Sequence, residues 1–124
     1  GKVIIPEEIL NKKGKLTEKE WNKIKEHPAT GHRITSSTEE FSHVSNGILA
    51  HHEHWDGSGY PQGLAGEEIP LLSRIISIVD AYDVMTHYRP YKQTKSKEKA
   101  LEELKNCAGS QFDPQLVQEF IDLI

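Results

Sequence analysis

The apolar residues of this 124-residue chain recur three and four apart in short runs, punctuated by prolines and glycines. That spacing marks helices with one buried face, and no convincing hairpin interrupts it. Pro6 followed by Glu7 and Glu8 suits the first turn of a short helix running to about Asn11. Proline loses no needed N–H there, and the carboxylates face the positive end of the helix dipole. Gly14 closes it. Thr17-Glu18-Lys19-Glu20 reads as a capping box that opens a helix through Trp21 and Ile24 towards His27, where Pro28 bends or restarts the chain. Phe41, Val44, Ile48 and Leu49 predict a further helix running directly into His51-His52-Glu53. Pro70 opens a long apolar helix with Leu71, Leu72, Ile75, Ile76 and Val79, broken at Arg89-Pro90. Ser96 caps another through Leu101 and Leu104, ending near Gly109. Asp113-Pro114 is a cap and first-position pair for a last helix with Val117, Phe120 and Ile121. The expected fold is all-α, with five or six helices around one core.

The stretch Trp55 to Glu68 is the exception. It carries Gly57, Gly59, Pro61, Gly63 and Gly66 and is long for a loop in a compact domain, which points to function or disorder. Trp55 and Tyr60 argue for an ordered loop. Apolar residues make up 35% of the chain and charged residues 27%, as in a soluble globular domain. With a net charge of −4 and a pI near 6.0, nothing favours nucleic acid or an anionic membrane. A negatively charged substrate must therefore meet local cations or a bound metal. The single cysteine, Cys107, excludes an internal disulfide and suits a reducing cytoplasm; it reads as a small buried residue near a helix end. No run approaches the roughly 18 apolar residues of a membrane span, and the start lacks the apolar core of a signal peptide. The first residue is Gly1, not Met, so the expectation is a piece cut from a longer chain.

Seven histidines are the compositional oddity. Adjacent helical residues point about 100° apart, so His51 and His52 can share one metal only near a helix end, or can take different edges of one cluster. Read alone, they are two surface histidines or two ligands. Asp80 falls four residues after Ile76 and eight after Leu72, which places it near the buried stripe of its helix. A carboxylate there needs a partner, a hydrogen bond or a metal. His27 ends a helical segment just before Pro28. His32, His43, His54 and His87 have no such setting and read as surface or packing residues. Imidazole and carboxylate together suit zinc, iron, manganese or nickel. Such a centre can cleave a phosphodiester by polarising a phosphoryl oxygen and activating water. Cations are also needed for the non-bridging oxygens, and Lys2, Arg89 and Lys92 are candidates, each otherwise a solvated charge.

Taken together, these segments resemble the HD-GYP family of bacterial metal-dependent phosphodiesterases. The resemblance rests on His51-His52-Glu53-His54-Trp55-Asp56-Gly57-Ser58-Gly59-Tyr60-Pro61 and continues through Gly63-Leu64, Gly66 and Ile69-Pro70. Arg74-Ile75, Asp80-Ala81-Tyr82-Asp83, Arg89-Pro90-Tyr91 and Gly109-Ser110-Gln111-Phe112-Asp113-Pro114 follow in order, so that it covers residues 1–124. It implies an HD-type helical bundle that hydrolyses cyclic di-GMP, or a related cyclic dinucleotide, in second-messenger signalling. It implies a centre of two or three metals, iron or manganese, with His27, His51 and His52 as imidazole ligands of one metal and Asp80 as a carboxylate ligand of its neighbour. Lys2 is implied to face the substrate phosphate, and Tyr60, Arg89 and Lys92 to contact substrate. The family also associates the Gly-Tyr-Pro loop with docking to diguanylate cyclase domains, which leaves a non-catalytic interaction module as the alternative function. Gly1-Lys2 match the last two residues of the family's His-Asp-x-Gly-Lys motif. The chain is therefore expected to be the C-terminal portion of the domain, N-terminally truncated and inactive or nearly so alone, with a sensor or receiver domain upstream. An apolar groove left by missing helices would favour a homodimer. His87-Tyr88 departs from the small and acidic residues usual before Arg89, which leaves the identity of the dinucleotide open.

Overall fold

The computed structural model of the chain describes residues 7–10, 14–37, 39, 44–87 and 93–124. The predicted roles of Lys2, Arg89 and Lys92, and the helix start at Phe41, lie outside the described residues. Within them run seven helices: α1 (Glu7–Leu10), α2 (Glu18–Lys25), α3 (His27–Ser36), α4 (Ser45–Leu49), α5 (Leu71–Thr86), α6 (Lys97–Asn106) and α7 (Pro114–Leu123). Five of these have eight residues or more. A 3-10 turn, Gly66–Glu68, precedes α5. The described residues form no sheet, only the isolated bridges Asp56–Ala65 and Ala108–Phe112.

Local chemistry sets the helix ends. At α2 the Thr17 hydroxyl accepts from the Glu20 N–H at 3.1 Å, and the Glu20 carboxylate accepts from the Thr17 N–H at 2.9 Å. Two of the orphan donors at a helix start are thereby satisfied. The chain breaks at Glu26 and restarts as α3 with Pro28 in its first turn, where a missing N–H costs nothing.

The main core lies between α5, α6 and α7. Ile78 and Met85 meet Ala100, Leu104, Phe112 and Val117, with Tyr82 and Phe120 packed around them. One carboxylate ties this layer together. Asp113 caps α7 through the N–H groups of Gln115 and Leu116, and its other oxygen lies 2.9 Å from Arg74 Nη1 on α5. The N-terminal half of α5 docks onto α4, where the Ser73 hydroxyl donates to the Gly47 carbonyl at 2.9 Å. A Cβ on Gly47 would come within 2.8 Å of the Leu72 side chain, so glycine permits the close approach.

Two expectations are corrected. The helix before the histidine pair ends at Leu49 instead of running into His51. Asp80 is exposed, not near the buried stripe. The face of α5 that enters the core carries Ser73, Ile78 and Met85, whereas Leu72 and Val79 stay 41% and 48% exposed. The Leu72–Ile76–Asp80 row is therefore turned away from the core.

Candidate metal centre

Each of the three clustered histidines stands at a helix end. His27 follows the last turn of α2, and its Nδ1 lies 2.6 Å from the Ile24 carbonyl oxygen. His51 follows α4, with Nδ1 2.5 Å from the Ile48 carbonyl oxygen. A carbonyl only accepts, so Nδ1 donates in both rings, and a neutral ring then keeps its lone pair on Nε2. His52 comes next in the turn beyond Ala50. With the helix already ended, its ring folds back beside its neighbour instead of pointing about 100° away.

The rings converge. Their centroids are 4.1 Å apart for His51 and His52, 4.7 Å for His27 and His52, and 5.7 Å for His27 and His51. One ligand nitrogen from each residue lies within 4.8 Å of the other two. His27 is 4% exposed, and the Nε2 atoms of His27 and His52 are sealed from solvent. Four-coordinate metal–nitrogen bonds of about 2.1 Å put ligand nitrogens about 3.4 Å apart, within the 4.8 Å limit that the cluster satisfies. Three neutral imidazoles are a suitable donor set for a divalent transition metal. This cluster can coordinate a metal ion.

Asp80 does not join that trio. It lines a cleft of about 210 Å³ together with His51, His52, His54 and Gln111, beside the cluster. Tyr60 comes to the site from the glycine-rich loop and stacks on His52 at 5.1 Å with the planes 13° apart. Burial pushes its phenol above the ordinary value of 10.0.

Glu53, which the residue pattern did not single out, orders that loop. Its side chain is buried at 2% exposure and accepts from the N–H groups of Gln62 at 2.6 Å and Leu64 at 3.0 Å. The loop also closes on the last turn before α7, with Trp55 and Asp56 donating to the Gln111 and Ser110 carbonyls. A Cβ on Gly59 would lie 2.4 Å from both the His52 oxygen and the His54 nitrogen. Only glycine lets the loop run that close to the histidine turn. Asp56 accepts from the Ser58 hydroxyl and N–H, which holds its carboxyl below the ordinary value of 3.8. Trp21 and Lys25 also border the site and were not foreseen. Their i, i+4 spacing on α2 was the available signal.

A sequence model of the HD domain matches residues 1–116. The chain belongs to the HD domain family. Among characterised relatives of this HD domain, it is 44% identical over 123 residues to the cyclic di-GMP phosphodiesterase response regulator RpfG of Xanthomonas campestris, covering 98% of this chain and 32% of that protein. It is 42% identical over 125 residues to a cyclic di-GMP phosphodiesterase of Thermotoga maritima, covering 99% of this chain and 34% of the relative. A 3'3'-cGAMP-specific phosphodiesterase 2 of Vibrio cholerae is 41% identical, with coverages of 98% and 24%. The HD domain here thus spans about a quarter to a third of the length of these relatives. Its fold is similar to that of a crystal structure of a cyclic GMP-AMP-specific phosphodiesterase (V-cGAP3) of V. cholerae. The TM-score is 0.71 at 26% identity, over 98% of this chain and 32% of that one. No helix of the described residues is long and apolar enough to cross a membrane.

Proposed function

We propose that this HD domain serves the metal-dependent hydrolysis of a cyclic dinucleotide, cyclic di-GMP or 3'3'-cyclic GMP-AMP, to its linear product. The observation that carries the proposal is the convergence of His27, His51 and His52 on one ion-sized point from two separate stretches of chain. The relatives' activities on cyclic dinucleotides supply the substrate class.

His27, His51 and His52 would hold one metal, iron or manganese, with the free nitrogens of His27 and His51 set by backbone carbonyls at their Nδ1 atoms. Asp80, in the adjoining cleft, is assigned to a second metal. A metal bound here supplies electrostatic polarisation of the phosphodiester and activates water for attack. The chain's part is to fix the donors and to limit the freedom of their rings. It does so with the buried His27 and with the Tyr60 ring laid flat on His52. A purely docking role for the Gly-Tyr-Pro loop leaves the three converging imidazoles without a purpose.

The test has two readouts. Metal content after loading with iron or manganese should fall in each of His27→Ala, His51→Ala and His52→Ala. Hydrolysis of cyclic di-GMP and of 3'3'-cyclic GMP-AMP should be assayed on the full product of the gene, with and without chelator. A full gene product that binds metal but forms no linear dinucleotide refutes the reaction, and one that binds no metal refutes the centre.

A further inference from the structure

The histidine cluster is continued outward by a row of rings. Tyr60, stacked on His52, forms a T-shaped pair with Trp21 at a centroid distance of 6.2 Å and an interplanar angle of 79°. Trp21 sits on α2, 41% exposed and outside the core of α5, α6 and α7. Lys25, one turn further along, holds its Nζ 5.6 Å from the Trp21 ring centroid and 5.7 Å from that of Tyr60. Trp21 thus leaves part of its ring open to solvent beside the cluster.

Two rings set nearly at right angles make a corner. A planar guest stacked on one ring meets the edge of the other. Every nucleobase has a π face, and stacking on a protein aromatic is among the larger single contributions to nucleotide binding. The cation at this corner adds selectivity. An ammonium can only donate. Guanine offers two adjacent acceptors, O6 and N7, whereas adenine sets an N6 donor beside N7.

We propose that Trp21 and Lys25 form a guanine subsite next to the metal centre, with Trp21 as the stacking face and Lys25 reading the O6/N7 edge. The proposal deepens the phosphodiesterase reading and rests on it. One base of the dinucleotide is gripped at the corner while its phosphodiester reaches the histidine cluster. Trp21 and Lys25 are then residues that determine specificity and take no part in the chemistry.

Calorimetric titration of the full product of the gene with GMP, AMP and ribose 5-phosphate separates base from phosphate. The native protein should bind GMP about tenfold or more tighter than ribose 5-phosphate. Trp21→Ala should bring that ratio close to one, and Trp21→Phe should keep most of it. Lys25→Met should keep the stacking but lose the preference for GMP over AMP. Metal content should be the same in all four proteins, since neither side chain belongs to the three-histidine cluster. A Trp21→Ala protein with the native GMP to ribose 5-phosphate ratio overturns the subsite, as does a native ratio near one. An unchanged GMP to AMP preference in Lys25→Met overturns the role of the lysine. A full gene product that binds GMP as expected but takes up no metal supports the subsite and overturns the hydrolase reading instead.

Discussion

Replacing Glu53 with alanine should release the Gly-Tyr-Pro loop from the histidine turn while leaving the helical core folded. The carboxylate is buried and is shared between two backbone donors, Gln62 N–H at 2.6 Å and Leu64 N–H at 3.0 Å. Hydrogen bonds to a charged acceptor contribute about 1.5–3 kcal/mol each. Gln62 is exposed and Leu64 half-buried, so water can recover part of that in the variant. The net loss in loop docking is expected to be about 2 kcal/mol, which is roughly thirtyfold in an equilibrium constant. Because the core of α5, α6 and α7 does not include Glu53, the loss should be local. Amide hydrogen exchange is the direct assay. The Gln62 and Leu64 amides should exchange about thirtyfold faster, while amides in α6 and α7 keep their protection. Glu53→Gln, which keeps one acceptor oxygen, should fall between. If the two loop amides in Glu53→Ala retain native protection, the carboxylate does not hold the loop and the reasoning fails.

Three further outcomes follow from the same geometry. Gly59→Ala drives a Cβ into backbone atoms of His52 and His54, which cannot yield as a side-chain tip can. A cost of about 1–3 kcal/mol, together with weakened metal binding, is expected; a urea midpoint and a metal affinity both equal to native would contradict it. Asp113→Ala removes the α7 cap and strands the half-buried Arg74, for about 3 kcal/mol in urea unfolding. Restoring the cap alone, in Arg74→Met/Asp113→Asn, should recover part of this, and a loss below about 1 kcal/mol would mean the ion pair is idle. Asp56 has its folded pKa depressed by the Ser58 hydroxyl and N–H. Its contribution is therefore present above the ordinary value of 3.8 and is lost as pH falls below that through the folded value. Ser58→Ala should move the Asp56 carboxyl titration upward by NMR, and an unmoved titration rules the contact out.

Local rules exposed most of the architecture. The Thr17 box, the break at Pro28 and the Asp113-Pro114 start are each decided by neighbours within four residues, and each appears where the pattern placed it. Asp80 was misplaced because spacing gives a helix's periodicity but not which of its apolar faces finds a partner. On α5, Leu71, Ile75 and Val79 repeat as regularly as the core residues and yet remain exposed. Glu53 escaped notice for a related reason. Its two donors are backbone groups 9 and 11 residues away, and backbone donors leave no trace in side-chain identity. Trp21 reaches Tyr60 across 39 positions, a contact that no window along the chain can hold.

The histidine pair shows why ending a helix early matters for chemistry. Had α4 continued through His51, the Ile48 carbonyl would be committed to the N–H of His52, four residues on. Ending at Leu49 leaves carbonyls in the last turn without helical partners, and one of them accepts a hydrogen bond from His51 Nδ1. The same arrangement recurs where α2 stops, with the Ile24 carbonyl and His27. In both cases the residue three positions before the histidine belongs to the last helical turn, and its carbonyl, facing the ring, fixes which ring nitrogen is free to bind. Metal-binding histidines commonly need such a partner on the other nitrogen. Here the fold draws it from its own helix ends and spends no extra side chain. Glu53, next to His52 in sequence, instead holds the loop.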